Sequence, residues 1–491
     1  MLNVYYTDLL EMSKIVSFYS LYNILKNINC NHIISTSLLL FHYFDYNLGG
    51  EFTVELLKYE FKRALKKPIT FLLIALIIFL GMNVYTEMSF FNSKIKYNRE
   101  ITLSYMMLGG TRVHIEGIRE FSLMDQKHNE VNMIDNLLKY AENAVDSYEK
   151  GNYKEAYKND LIATMIHTRL FCSKNEAELL KTNIIDIWNE LLPEIEYDTF
   201  KISNLETSLT ADEIKSYCVK IKYKYDLFHK NIRYIDNYSL NNVTFIYNMI
   251  DKILPIIICV VVVLISFNSI SDEYRLGITK NISTQPFKRS KYYITMVLAN
   301  FLAIFLIVVV TTLILSLFVG AASEFHSFDT PILTHNNQWN TLNIKGMDLK
   351  EAYNVTLQKS YLGPVEISHN DLSKNLFSNL AFISFRKFLI QALSLFFVYT
   401  FLLTTISVFV SSIFKDKIKS LIVLIVINAI GYISSYFYPS IFNIFSMSNA
   451  TKIITGSIDF TLLGSFIVLF IGIFFSILIS TSYLKRKDIT G

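Results

Sequence analysis

"DEYRLGITKNISTQPFKRSK", residues 272–291, lies between two strongly apolar runs, "IIICVVVVLISF" (256–267) and "FLAIFLIVVVTTLILSLFV" (301–319). The stretch itself is polar and holds Arg275, Lys280, Lys288, Arg289 and Lys291, together with one glycine and one proline. A helix needs about 17–25 mostly apolar residues to cross a bilayer core. Within lipid each backbone N–H and C=O must be satisfied inside its own segment, so such runs are helical. The charged stretch then reads as a short reversal between two membrane helices, on one side of the membrane.

Outward from this loop, six stretches qualify as spans: 68–87, 252–270, 292–319, 387–413, 419–437 and 460–483. The middle of each lacks Asp, Glu, Lys and Arg. The fifth is the weakest, because Asn428, Gly431 and two serines interrupt it. Basic residues set the orientation, since loops on the cytoplasmic side carry the excess of lysine and arginine. Lys58, Lys62, Arg63, Lys66 and Lys67 precede the first span, and the charged loop separates the second and third. Lys415, Lys417 and Lys419 separate the fourth and fifth, while Lys485, Arg486 and Lys487 follow the sixth. All four clusters fall on one side, so both termini are expected in the cytoplasm. Residues 88–250, 320–386 and 438–459 are then expected outside. The expected fold class is an all-α polytopic membrane protein with six transmembrane helices and a large, mainly helical extracellular domain between helices 1 and 2.

Composition agrees. Of 491 residues 52% are apolar, with 38 Phe and 31 Tyr, and 18% are charged. That is too apolar for a soluble chain and too charged for spans alone, and it fits spans plus an aqueous domain. A net charge of +4 gives no support to a nucleic-acid partner. The heavy use of Asn, Ile, Lys, Tyr and Phe reads as an AT-rich bacterial genome, which places the chain in a bacterial plasma membrane. Cys30, Cys172, Cys218 and Cys259 form no CxxC pair, and the nine histidines form no HExxH, so no metal site is expected. Cys172 and Cys218 share one aqueous segment, which leaves a pairing open.

The aqueous segments differ in kind. Helical periodicity runs through "VNMIDNLLKYAENAVDSYEK" (131–150) and "EAYKNDLIATMIHTRLF" (155–171), with Gly151 as a helix stop between them. Residues 320–386 carry turn signals at Pro331 and Gly363–Pro364 and are expected to pack on the larger domain. Residues 438–459 are moderately apolar but too short to cross, which fits either a re-entrant pair of short helices or an ordinary outer loop. Residues 54–67 place Leu57, Phe61 and Leu65 at i, i+4 and i+8 beside Lys58, Lys62 and Lys66. Such a stripe suits an amphipathic connecting helix at the membrane interface, its lysines reaching headgroups. Residues 1–53 fit poorly. They read as a non-native extension, with translation starting at Val54, or as a real but poorly ordered one.

The spans offer few polar groups. Asn300, Gln391 and Asn428 stand out, and each reads as an interhelical hydrogen-bond partner rather than a transport site. Ion-coupled carriers usually need ionisable groups or broken helices near the midplane. Energy is therefore expected to enter from the cytoplasm, through the loop at 271–291. There Gly277 can end a helix continuing from the second span through Ser271, Asp272 and Glu273, and Pro286 can start the next element.

In these residues the chain resembles the permease subunits of ABC-2 type ABC transporters. Their loop between spans two and three reads E-x-x-x-G-T, a leucine-rich stretch, then P-x-S-R and a lysine. Glu273, Gly277, Pro286 and Arg289 match, with the nine-residue step from glycine to proline kept. Ile278 stands for the threonine, Lys288 for the serine and Met296 for the lysine. The helix at 54–67 is similar to the family's connecting helix, and the ending "YLKRKDITG" (483–491) is similar to its basic-Asp-Ile ending. The resemblance covers residues 54–491 and implies a permease that works as a dimer, with a second copy or a paralogue, on two separate ABC ATPase subunits. It also implies that Glu273 and Arg289 touch the ATPase while Gly277 and Pro286 shape the loop. No G-x-x-x-x-G-K-[ST] occurs in the sequence, so the chain is expected to bind no cofactor and to have no ATPase site, ATP and Mg residing on the partner. The expected function is ATP-driven export of a drug, antimicrobial peptide, ion or envelope component. The alternative is a sensor or immunity protein that binds an extracellular peptide and signals through an ATPase. An intramembrane hydrolase lacks the paired carboxylates or Ser/His constellation it would need. N-terminal sequencing of the native protein is expected to begin at Val54, and any peptide from residues 1–50 refutes that start.

Overall fold

The computed structural model describes residues 51–94, 100–109, 111–172, 176–195, 197, 209–237, 239–272, 289–342, 362–363, 377 and 380–486. The expectations for residues 1–50 and for the tail after 486 lie outside them. Six helices among the described residues are long and apolar enough to cross a membrane: Pro68–Ser93, Asn242–Ser266, Ser290–Ala322, Phe385–Ile413, Lys417–Phe437 and Leu462–Arg486. The protein is an all-α polytopic membrane protein.

The chain opens with α1 (Glu51–Lys66) and α2 (Pro68–Lys94), which forms the first span. A helical domain follows: α3 (Thr102–Leu108), α4 (Arg112–Met124), α5 (His128–Glu149), α6 (Tyr153–Leu170), α7 (Ala177–Leu191) and α8 (Ala211–Lys230). The second span is α9 (Asn242–Asn248), a π turn (Met249–Ile253) and α10 (Leu254–Ser266). The third is α11 (Arg289–Ala322). Strands β1 (Pro331–His335) and β2 (Leu380–Ser384) pair antiparallel, Pro331 opposite Ser384, and lead into α12 (Phe385–Ile413). The last spans are α13 (Lys417–Phe437) and α15 (Leu462–Arg486), with a 3-10 turn (Ile444–Ser448) and α14 (Ala450–Thr455) between them.

The second span starts ten residues before the 252 expected from hydropathy, because Asp251, Lys252 and three asparagines mask its outer turns. Lys252 lies at the surface and meets Glu87 of α2 at 2.8 Å. Pro255, near the start of α10, cannot donate to a carbonyl one turn back. The π turn just ahead of it absorbs the mismatch.

The span core gathers Phe245, Ile257, Val261, Ala303, Phe388, Leu395 and Tyr399, all buried. Phe445, Met447, Ala450 and Ile453 belong to the same core, so residues 444–455 are short helices tucked against the spans. Their fit explains a glycine that weakens the fifth span in sequence. A Cβ on Gly431 would stand 2.2 Å from the Phe445 ring, a distance no real side chain keeps.

The helical domain is built on the α5–α6 hairpin. Gly151, at φ +76, makes the turn, and the Asn152 side chain caps α6 by accepting from the Glu155 N–H. Thr210 and Glu213 form a reciprocal capping box at α8. Ile134, Leu137, Leu161, Met165, Leu180 and Trp188 fill one core. Cys172 and Cys218 lie buried in it, and burial pushes the Cys172 thiol up to about 11. The described parts of segment 320–386 pack on this domain: Leu333 and Leu380 share a core with Tyr223 and Leu227, and Phe382 meets the Tyr223 ring at 5.8 Å. Pro331 opens a strand rather than a turn, a position where its missing N–H costs no ladder bond. Gly363, at φ +135, lies where a Cβ would come within 2.9 Å of Leu333, so only glycine fits.

Charge is buried deliberately here. Asp160 is fully buried, accepts from the Ser104 hydroxyl at 2.7 Å and backbone N–H at 3.2 Å, and pairs with buried Lys224. Lys220 is buried beside them, and burial followed by the charge of Lys224 lowers it to about 7. Removing one member of a buried pair strands the other. Asp160→Leu is therefore expected to destabilise the domain by about 3–5 kcal/mol, and adding Lys224→Met to it is expected to recover most of that. Thermal unfolding of the four members of this cycle checks it, and additive losses would show that the two groups do not depend on each other.

Candidate functional site

The charged loop leaves the bundle at the end of α10 and returns at the start of α11. The hydropathy reading carries the second span onward as one helix through Ser271 and Asp272, yet α10 stops at Ser266 and residues 267–270 form a turn before one more helical step. The cause is competition for the helix's own backbone groups. Lys67 Nζ donates to the Ile265 carbonyl at 2.9 Å and to Asn268 Oδ1 at 2.8 Å. The Ser420 hydroxyl donates to the Phe267 carbonyl at 2.9 Å. The Ile270 and Ser271 N–H groups donate to Ser411 Oγ at 3.0 and 3.2 Å. A cation at a helix C-terminus also meets the negative end of the helix dipole.

Other helices join the same cluster. Asn300 of α11 donates to Ser269 Oγ at 2.8 Å. Asp272 accepts from Asn268 at 2.8 Å and faces Lys417 of α13 at 3.9 Å. One turn deeper, Tyr293 Oη donates to the Thr405 carbonyl at 2.8 Å and lies 3.1 Å from Ser480 Oγ of α15. The root of the loop thus ties the α1–α2 junction to α10, α11, α12, α13 and α15. Among the described residues no group of three metal-ligating side chains converges here or elsewhere.

Of the residues the sequence singled out, Glu273, Gly277 and Pro286 lie outside the described residues, and Arg289 opens α11. In the connecting helix, Leu57 and Phe61 are buried, Leu65 is half-buried, and Lys58, Lys62 and Lys66 are exposed. The apolar stripe packs on the protein's own spans, chiefly α11. An amphipathic period is the same for a protein or a lipid cover. Burial raises Glu60 on this face, while Arg63 at 3.2 Å and Lys67 pull it back. Asn300 is an interhelical partner as expected, but Asn428 donates to its own Leu424 carbonyl at 2.9 Å.

This arrangement, six spans hinged on a polar loop root, meets its family at the level of sequence. The model of the "ABC-2 family transporter protein" family matches residues 54–452. The chain belongs to the ABC-2 transporter family. No curated protein and no solved structure matches it. As an ABC-2 protein it is the multi-pass membrane permease of an ABC exporter, a class whose members are transmembrane components that work with ABC ATPase partners. In this ABC-2 permease, Lys67, Ser411, Ser420 and Tyr293 are the loop-root residues that motif reading missed.

Lys67→Met leaves the Ile265 carbonyl and Asn268 without their shared donor and is expected to cost about 1.5–3 kcal/mol, the worth of a charged hydrogen bond. Thermal unfolding of the detergent-purified protein, compared with exposed Lys66→Met as a control, measures it. Equal effects of the two substitutions would remove Lys67 from the site.

Proposed function

We propose that the loop at 271–291 is the lever through which a separate ATPase drives this permease, and that the driven process is export. The observation that carries this reading is the polar cluster at the loop's root. A displacement of the loop cannot stay local, because the residues that lead into it, 267–270, are bonded to the α1–α2 junction and to α11, α12 and α13, and its own Ser271 and Asp272 meet α12 and α13. Glu273 and Arg289 are the charged contacts to the ATPase, and Gly277 and Pro286 set the loop's shape. Nucleotide-driven closure of the ATPases works by binding one permease state better than the other. ATP and Mg belong to the ATPase, and this chain binds neither.

In the same reading the loop end of the bundle faces the cytoplasm of a bacterial cell, with both termini there, and the α3–α8 domain stands outside. Two permeases, identical or paralogous, assemble on two ATPases. Exposed Lys58, Lys62 and Lys66 meet lipid headgroups along the outer edge of α1. The cargo is a drug, an antimicrobial peptide, an ion or an envelope component, and the size of the helical domain favours a peptide that it meets outside.

Glu273→Ala with Arg289→Ala is expected to leave the melting temperature of the permease unchanged while abolishing co-purification with its ATPase or transport-dependent ATP turnover. A double variant that keeps both at wild-type level would remove these side chains from the contact. Net movement of cargo into proteoliposomes separates export from a sensor, which would bind the cargo without moving it.

A further inference from the structure

An apolar cleft runs between the second, third and fourth spans, with an empty volume of about 540 Å³ counting its open side. Its floor is Ile246, Ile250, Leu254 and Ile258 of the second span, all buried. Its mouth lies between Val309 and Leu313 of α11 and Leu389 and Leu393 of α12, with Leu313 43% exposed. The lining holds two polar side chains, Thr312 and Thr400. The Thr312 hydroxyl is occupied by the Val308 carbonyl at 2.8 Å. Twelve residues separate Ile246 from Ile258, about 18 Å of helix at 1.5 Å per residue. One leaflet of a bilayer core is about 15 Å deep. The slot therefore has the length of one leaflet, on the side that carries the α3–α8 domain.

The face of α12 that lines this slot does not end with it. Leu389, Leu393, Phe396 and Thr400 recur at helical spacing, and one turn above them on the same face stands Arg386. Its side chain is 68% exposed, and its recorded ion pair is with Asp329 at 3.5 Å, itself exposed. Exposed pairs of this kind exchange partners at little cost. Arg386 also lies at the N-terminal, electropositive end of α12, and a guanidinium takes phosphate oxygens two at a time.

We propose that this cleft binds one anionic phospholipid of the domain-side leaflet, with an acyl chain in the slot and the phosphate on Arg386. A phospholipid satisfies both halves of the site at once: a dry chain about one leaflet long, and an anion at its water end. A soluble anion leaves the slot empty, and a neutral apolar molecule leaves Arg386 on Asp329. Binding here braces the three spans that meet at the cleft, including the two that carry the charged loop.

The test is native mass spectrometry of the delipidated full-length protein, titrated with phosphatidylglycerol and phosphatidylcholine of identical chains. The wild type is expected to prefer phosphatidylglycerol by about tenfold, the equivalent of one charge-assisted hydrogen bond. Val309→Phe, which fills the slot, is expected to lose both lipids. Arg386→Gln, a surface change that leaves the fold intact, is expected to keep lipid binding and lose the preference. Wild-type binding of phosphatidylglycerol by the filled variant overturns the site, as does an unchanged preference in Arg386→Gln. Should Val309→Phe fail to fold, the preference of Arg386→Gln decides alone.

Discussion

A membrane helix that ends must place the carbonyls of its last turn somewhere, because low-dielectric surroundings make an orphaned polar group costly. In this permease the end of α10 is satisfied by side chains from elsewhere in the chain. Lys67 takes the Ile265 carbonyl, Ser420 takes the Phe267 carbonyl, and Ser411 accepts from Ile270 and Ser271. The three partners come from three different parts of the chain. Breaking any one leaves a group whose desolvation costs about 1–3 kcal/mol, so the inner ends of the spans behave as one body. A loop that leaves from Asp272 and returns at Arg289 is anchored in that body at both ends.

The opposite end of the bundle is joined differently. Arg233 bridges Glu100 at 3.0 Å and Glu324 at 3.3 Å, and Lys252 meets Glu87 at 2.8 Å, with exposed side chains except for Glu100, which is 15% exposed and also accepts from the Tyr157 hydroxyl. The exposed pairs contribute little individually. Gln338 adds a cap on the sixth span, its Oε1 accepting from the Leu462 N–H at 2.9 Å. The helical domain's buried pair, Asp160 and Lys224, lies close to these ties, since Glu100, Asp160 and Lys224 line one small cavity. Ile235, Ile332 and Leu362 carry the apolar core of the spans into the junction. The π turn at Met249–Ile253 lies at this end of the bundle.

The six spans, and the reversal between the second and third, are legible in hydropathy because length and apolarity alone decide them. The start of the second span is not, since Asp251 and Lys252 carry a surface signature although the helix runs past them. The stripe of Leu57 and Phe61 is legible as a buried face, while what buries it is not, because lipid and a neighbouring helix demand the same period. The loop-root serines are the least legible. Ser411 reaches across to α10, whereas Ser412 beside it bonds back to the Phe409 carbonyl at 2.6 Å, and nothing in the sequence separates them. Asn300 and Asn428 differ in the same way, one crossing to a second helix and one returning to its own. These choices are made by the facing helix, which the local sequence does not contain.

The distribution of charge along the spans bears on where work can be done. Glu87 sits toward the domain end of the first span, and Lys291, Lys417 and Lys485 sit toward the loop end of theirs, while Asp251 and Lys252 lie within the second span close to its midpoint. In the proposed reading force arrives at the loop end, and an end transmits force only if it does not yield. The loop root, with its bonds shared among helices, then passes a push from the loop to the spans as one body. At the other end the junction is packed as well as paired, with Ile235, Ile332 and Leu362 in the span core beside the Arg233 ion pairs. The same motion then reaches the helical domain through apolar contact, which does not depend on any single bond.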